Sequence, residues 1–389
     1  MKKKVLFLCL MMMLNSLLLF AACNEQTAAT TTQPAVQQPS VQVPDESVTD
    51  SAVTESAQCP PTPAASATAA AQSSDSGFYP WIVYWDFDTA ISESRSLSSA
   101  MGNISVFAAY FRDDDSIIFP QSSQDTLKAV RDAYGTTVQT YLTFVNDIKY
   151  ENGGSSLKDV DLLRRLLSNQ TRMTAHIDEI IALAKEKGAD GIEIDYENIK
   201  GDDALWQLYA QFLCALNDRA VSEGLRLRVV LETSALGKAT FPAGPQYTVM
   251  VYNLYGNHSS EPGPKADEAF ITETAAKSVC LGPDVCFAFA TGGFDWSSSG
   301  NVDQLCETAA AELAQTMQTV PSRDQSSGAL TFTYQNDQTH TVWYADGQTI
   351  CIWLDAAKNA GIRNFALWRL GGNSEASLKQ ISEYLTDNN

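Results

Sequence analysis

Eight short runs rich in Val, Ile, Tyr and Phe recur along the chain, at 81–87, 104–111, 137–144, 191–197, 225–232, 247–255, 285–296 and 364–370, with amphipathic stretches between them. Strands that alternate with helices pair in parallel, and a parallel sheet must be covered on its faces. Eight such units point to an α/β chain folded as a (β/α)8 TIM barrel. The stretch 160–188 carries apolar residues at helical spacing and ends on Gly188, and 204–224 does the same with Gly224; both glycines suit a helix C-terminus. Between strands 7 and 8 a helix over 302–319 and a β-hairpin over 329–346 are expected as a small insertion, a candidate wall for a groove.

The remainder of the chain divides by composition. Residues 1–22 open with three lysines, then an apolar run broken by Asn15 and Ser16, then small residues before Cys23. That is the layout of a bacterial lipoprotein signal peptide, with a signal-anchor helix as the alternative. Lipidation at Cys23 would hold the protein on the outer face of a cell membrane through acyl chains rather than a spanning helix. Residues 23–77 hold the lipidated Cys and then Thr, Ala, Gln, Ser and Pro without Lys or Arg, read as a disordered linker. Residues 78–389 are left as one large folded domain.

A net charge of −20 argues against nucleic acid or an anionic lipid surface as a partner, since both demand basic patches. It leaves a neutral glycan open. The five domain cysteines, Cys214, Cys280, Cys286, Cys306 and Cys351, are compatible with a Cys280–Cys286 loop disulfide and equally with free buried thiols. Three histidines, His176, His258 and His340, without close Cys partners argue against a zinc site, and neither a metal nor another cofactor is expected. A monomer is expected.

The fourth run, within "KGADGIEIDYENI" (187–199), carries Asp190, Glu193, Asp195 and Glu197 in an apolar setting. On a strand, residues two apart share a face, so Glu193, Asp195 and Glu197 point one way while Ile192, Ile194 and Tyr196 point the other. In a barrel the apolar face packs under helices, and the acids point inside. Like charges stacked there raise one another's pKa, and a carboxyl that keeps its proton near neutrality is what a general acid requires. Glu197 is nearest the carboxyl end of the strand, where barrel enzymes place their chemistry. The alternatives are a surface strand with solvated acids, an acid cluster paired with arginines, and a calcium or magnesium site.

The segment "DGIEIDYE" resembles the D-G-x-D-x-D-x-E signature of family 18 glycoside hydrolases, with Glu193 replacing the first inner aspartate. The long helix before it, "VMVYNLYGNHSSEPGP" and the closing "TVWYADGQTICIWLDAAKNAGIRNFALWRLGG" are similar to the corresponding stretches of the spore-associated, peptidoglycan-cleaving branch. "TYLTF" on the third strand lacks the S-x-G-G of typical chitinases, which favours that branch. The resemblance implies a retaining, substrate-assisted hydrolysis of N-acetylglucosamine-containing glycan, with the acetamido oxygen of the substrate as nucleophile. It implies Glu197 as acid and base, Asp195 as partner of the acetamido N–H, Tyr252 as donor to the acetamido carbonyl and Glu193 as a tuning group. It further implies Trp368 as the floor under the sugar, with Trp296 as a further groove candidate; for Trp81, Trp85 and Trp353 the choice between core and groove stays open. Asn253 stands where the family has an aspartate, which keeps hydrogen bonding and removes a charge. A non-catalytic glycan-binding protein on the same fold, or an enzyme acting on chitin or N-glycans, are the competing expectations.

Overall fold

The computed structural model describes residues 77–387; the leader, Cys23 and nearly all of the linker lie outside the described residues. Eight strands form the barrel: β1 (Phe78–Val83), β2 (Asn103–Phe111), β3 (Gln139–Lys149), β4 (Gly191–Asp195), β5 (Arg226–Glu232), β6 (Gln246–Met250), β7 (Cys286–Ala290) and β8 (Asn364–Trp368). Each pairs in parallel with its sequence neighbours, and pairing of β1 with β8 closes the ring. The expected (β/α)8 barrel is therefore the fold. Helices follow every strand except β5, which leads through a single 3₁₀ turn, Thr233–Ala235, and a loop with Pro242 and Pro245 into β6.

Residue parity divides each strand. On β4, Ile192 and Ile194 are fully buried among the apolar residues beneath the helices, as are Val229 on β5, Phe287 and Phe289 on β7, and Phe365 and Leu367 on β8. The opposite parity fills the barrel with Tyr79, Trp81, Val230, Cys286, Ala288 and Ala366, against which Phe107, Tyr252 and Trp368 pack. The apolar effect thus fixes the register of β4: a slip of one residue would put its acids under the helices.

Three expectations change in detail. The stretch 160–188 is two helices, Val160–Leu167 and Gln170–Glu186, because Asn169 adopts extended geometry and caps the second by accepting the Arg172 N–H at 3.0 Å. Gly188 and Gly224 do sit at helix ends with φ of 61° and 74°. The run 285–296 is two strands: β7 ends at Ala290, and Gly292–Ser297 turns into a separate five-stranded antiparallel sheet. The break needs glycine, since a Cβ at Gly293 would lie 1.7 Å from the Trp343 carbonyl oxygen. In the expected helix 302–319, residues Val302–Leu305 are instead a strand of this sheet and the helix spans Glu307–Thr316. The hairpin is present as Leu330–Gln335 paired with Thr339–Ala345, so the insertion lies between β7 and β8. Cys280, Cys286, Cys306 and Cys351 are free, so no Cys280–Cys286 disulfide forms.

Candidate active site

The acids of β4 occupy three levels of the barrel. Below them, Asp190 accepts the Thr140 backbone N–H at 2.8 Å and so pins β4 to β3. Gly191 follows because the Tyr141 ring covers it; an added Cβ would lie 2.3 Å from that ring. Glu193 is fully buried. Its Oε1 accepts from Trp81 Nε1 at 2.5 Å and Thr143 Oγ1 at 2.7 Å, and its Oε2 from Ser105 Oγ at 2.8 Å and Arg228 Nη1 at 3.2 Å. Arg228 is sandwiched between the rings of Tyr79 and Tyr141, at 3.5 and 4.0 Å from their centroids, and donates also to Asn103 and Gln246. Glu193 therefore sits in a satisfied ion pair, which is the arginine-paired alternative realised at this one level.

One step up, Asp195 is 7% exposed and its Oδ1 has no hydrogen-bond partner. Burial first, then the charges of Glu197 and Glu193, push its pKa well above the ordinary carboxylate value, with Lys158 opposing. A buried, unpaired carboxyl oxygen is costly unless a ligand completes it. Beyond Asp195 the strand ends, two residues earlier than its sequence suggests; Tyr196 keeps the outward parity, stacks on Phe212 and bonds His176 Nε2 at 2.9 Å.

Glu197 then emerges at the mouth with its side chain 14% exposed. Its backbone is clamped by buried Asn146 from β3, whose Oδ1 accepts the Glu197 N–H at 2.9 Å and whose Nδ2 donates to the Glu197 carbonyl at 3.1 Å. The next residue, Asn198, takes φ of 68° and donates its N–H to Glu232 at 2.9 Å. The Glu197 carboxylate pairs with Lys158 from the loop after β3. Burial raises the Glu197 pKa; Lys158 lowers it, and Glu232 and Asp147 raise it further, leaving it above its ordinary value.

Tyr252, just past β6, is half-buried and packs against the cluster of Tyr79, Trp81 and Val230 inside the barrel. Burial first, then Asp195 and Glu197, raise its pKa well above 10.0, so its hydroxyl keeps a proton to donate. Asn253 follows with φ of 62° and an exposed side chain; asparagine tolerates that left-handed backbone better than most residues. Trp368 ends β8 with its ring 5.2 Å from Phe107 and 5.8 Å from Trp81, partly open above them.

The other tryptophans separate cleanly. Trp296 is 4% exposed within the second sheet, its indole donating to the Ser259 carbonyl at 3.1 Å, so its ring is covered and is not a groove surface. Trp81 and Trp353 are core, bonded to Glu193 and to the Ser327 carbonyl. Trp85, after β1, is 47% exposed, edge-on to Phe107 with the Arg369 guanidinium over it, and extends the aromatic rim that begins at Trp368. Sequence reasoning did not single out Lys158, Asn146 or Arg228. Only Arg228 left a signal, an arginine at inward parity on the strand beside Glu193.

Fold and site define a class: a (β/α)8 barrel with inward carboxylic acids ending at the C-terminal mouth of its fourth strand. No protein-family model matches the chain. Three curated proteins of Bacillus subtilis (strain 168) are similar to it. One, the uncharacterized glycosylase YvbX, is 26% identical over 57% of this chain and 69% of its own length. Another, the cortical fragment-lytic enzyme, is 22% identical over 72% of this chain and 66% of its own. The chain thus spans about two thirds of each of these two. A solved chitinase from Chromobacterium violaceum shares the fold with a TM-score of 0.66, covering 79% of this chain and 98% of that one at 16% identity.

Proposed function

We propose that this protein is a retaining glycoside hydrolase of family 18 type that cleaves β-linked N-acetylglucosamine polymers by substrate assistance, with peptidoglycan as its polymer. One observation carries the reading: Asp195 holds an unsatisfied oxygen inside the barrel, two residues before a clamped Glu197 and beside a protonated Tyr252. Similarity to the cortical fragment-lytic enzyme, together with "TYLTF" on β3 in place of S-x-G-G, supports peptidoglycan as the polymer. The leader and Cys23 support action outside the cell membrane, on a lipid anchor.

In this mechanism the Asp195 Oδ1 accepts the acetamido N–H of the bound sugar, and Tyr252 donates to the acetamido carbonyl oxygen. That oxygen attacks the anomeric carbon while Glu197 gives its proton to the glycosidic oxygen; the C1–O bond breaks and the leaving sugar departs as an alcohol. Glu197, now a carboxylate, takes a proton from water as the water adds to C1, which reopens the oxazolinium ring with net retention. Trp368 offers its ring to the apolar sugar face. Glu193, closed off by four donors, acts on this chemistry only as a fixed charge below Asp195.

The purified protein and its Glu197→Gln variant, incubated with peptidoglycan and with chitooligosaccharides, test the reading by mass spectrometry of new reducing ends. N-acetylglucosamine ends from peptidoglycan, lost in the variant, are expected. Products from chitin or N-glycans alone would move the substrate, and equal turnover by both proteins would remove Glu197 from the mechanism. Asn253, lacking the charge of the aspartate it replaces, favours one second reading, a non-catalytic glycan binder; tight oligosaccharide binding without turnover would establish it.

A further inference from the structure

A general acid must carry a proton, yet Glu197 is paired with Lys158, and an ammonium on a carboxylate favours the ionised form. The groups facing this pair sharpen the conflict. Asp195 from β4, Asp147 from the end of β3 and Glu232 from the end of β5 all act on Glu197 or Lys158 and are acids, and the Tyr252 hydroxyl faces Glu197 from the end of β6. Within this set Lys158 is the cation, and its side chain is 48% exposed, open to whatever enters the mouth. Its placement is built rather than incidental. Lys158 takes φ of 52°, and its N–H is held by Asp147 Oδ1 at 2.7 Å. The residue after it, Asp159, caps the helix Val160–Leu167 by accepting the Leu162 N–H at 2.8 Å and accepts the Ser156 hydroxyl at 2.8 Å.

We infer that Lys158 is a specificity residue that recognises a free carboxylate on the leaving-group sugar, and that this carboxylate draws the ammonium off Glu197 when the correct substrate binds. The inference rests on the glycosidase reading above and names its preferred substrate. The acid that protonates the glycosidic oxygen must lie beside it, and Lys158 touches that acid. In a muramyl leaving sugar the lactyl ether stands on C3, next to the C4 that bears the scissile oxygen, so its carboxylate comes within reach of the same ammonium. A chitin sugar has only a hydroxyl there, and Lys158 would stay on Glu197. In peptide-bearing strands the lactyl carboxyl is an amide and carries no charge. The preferred substrate is therefore a glycan strand already stripped of its peptides, which places an amide-cleaving reaction before this one.

The test compares three forms of one alternating N-acetylglucosamine–N-acetylmuramic acid strand: with free lactyl carboxylates, with those carboxyls reduced to alcohols, and with peptides in place. Wild type, Lys158→Met and Lys158→Arg are assayed on each. All three keep the backbone N–H bond to Asp147, and melting temperatures check that the loop survives. Wild type should favour the carboxylate strand over the alcohol strand about tenfold or more in kcat/KM, as expected for one charged hydrogen bond. Lys158→Met should lose that ratio by slowing on the acid strand and quickening on the neutral one, and Lys158→Arg should restore most of it. The alkaline limb of kcat/KM, which reports the free enzyme, should move to higher pH in Lys158→Met, because the cation that lowers the Glu197 pKa is gone. A merely structural lysine would shift neither the ratio nor that limb. A wild-type ratio near one, or a ratio that survives in Lys158→Met, overturns the inference while leaving the hydrolase intact. Absence of cleavage of every strand by wild type overturns the hydrolase reading and this inference with it.

Discussion

Glu193 and Asp195 stand two residues apart on one face of β4, yet their surroundings are opposite. Glu193 is closed by four donors, one of them an arginine held between two tyrosine rings. Asp195, buried one level nearer the mouth, keeps an oxygen with no partner. The same kind of group at the same parity thus holds the barrel floor at one level and stands ready for a ligand at the next. What separates the levels is the neighbouring strands: β1, β2, β3 and β5 all send polar groups to Glu193, while the set around Asp195 is mostly acidic.

The largest expected effect lies at the mouth. Glu197→Gln keeps size and backbone clamps but cannot give a proton, so kcat should fall by about 10²- to 10⁴-fold, the range for general acid–base groups. Its denaturation midpoint should stay close to wild type. A variant that unfolds early would mean that the mouth, too, is built for stability.

The floor should behave in reverse. Arg228→Met leaves Glu193 charged in a dry site and should cost about 3–5 kcal/mol of stability, read from the denaturant midpoint. Adding Glu193→Gln should recover a large part of that loss, because the orphan charge is then gone. If Arg228→Met is silent, the pair is not what secures the floor. If it abolishes catalysis in a protein of unchanged stability, Glu193 is tuning the chemistry rather than supporting the fold.

How much of this contrast the chain displays before folding depends on the range of the interactions. The barrel and the inward face of β4 follow from local period, since alternation of Ile192, Ile194 and Tyr196 with acids forces one orientation once helices cover the sheet. Which acid is paired is a matter of partners from four other strands: Arg228 shows its inward parity in the sequence, but Trp81, Ser105 and Thr143 carry no mark that they will meet it. Trp296 shows the same limit from the other side: it follows β7 closely, but the turn at Gly292 moves it into another sheet and covers it. Lys158 and Asn146 are polar residues in and after a strand, ordinary until the fold brings them 39 and 51 residues along the chain to Glu197.

A smaller effect is expected from the clamp. Asn146→Ala frees both backbone groups of Glu197 without touching its carboxyl, so the acid loses its fixed position rather than its chemistry. kcat should fall by about ten- to a hundredfold, with the pH profile little changed and KM affected less. A shifted pH profile instead would place Asn146 in the electrostatics of the acid.

The smallest effect should appear in the pH dependence of stability. Asp195 has a folded pKa well above its ordinary 3.8, chiefly through burial and then through Glu197 and Glu193, with Lys158 acting against them. Above the ordinary value, the unfolded chain has released a proton that the folded protein still holds. The stability contributed by Asp195 is therefore complete below about pH 4 and is lost as pH rises toward the folded value. Asp195→Asn cannot titrate, so its denaturation midpoint should fall less steeply from about pH 4 to neutrality than that of wild type. Some slope should persist, because Glu197 is raised in the same direction. Identical slopes in the two proteins would show that Asp195 gives up its proton without cost, and the contrast with Glu193 would then lie in hydrogen bonding alone.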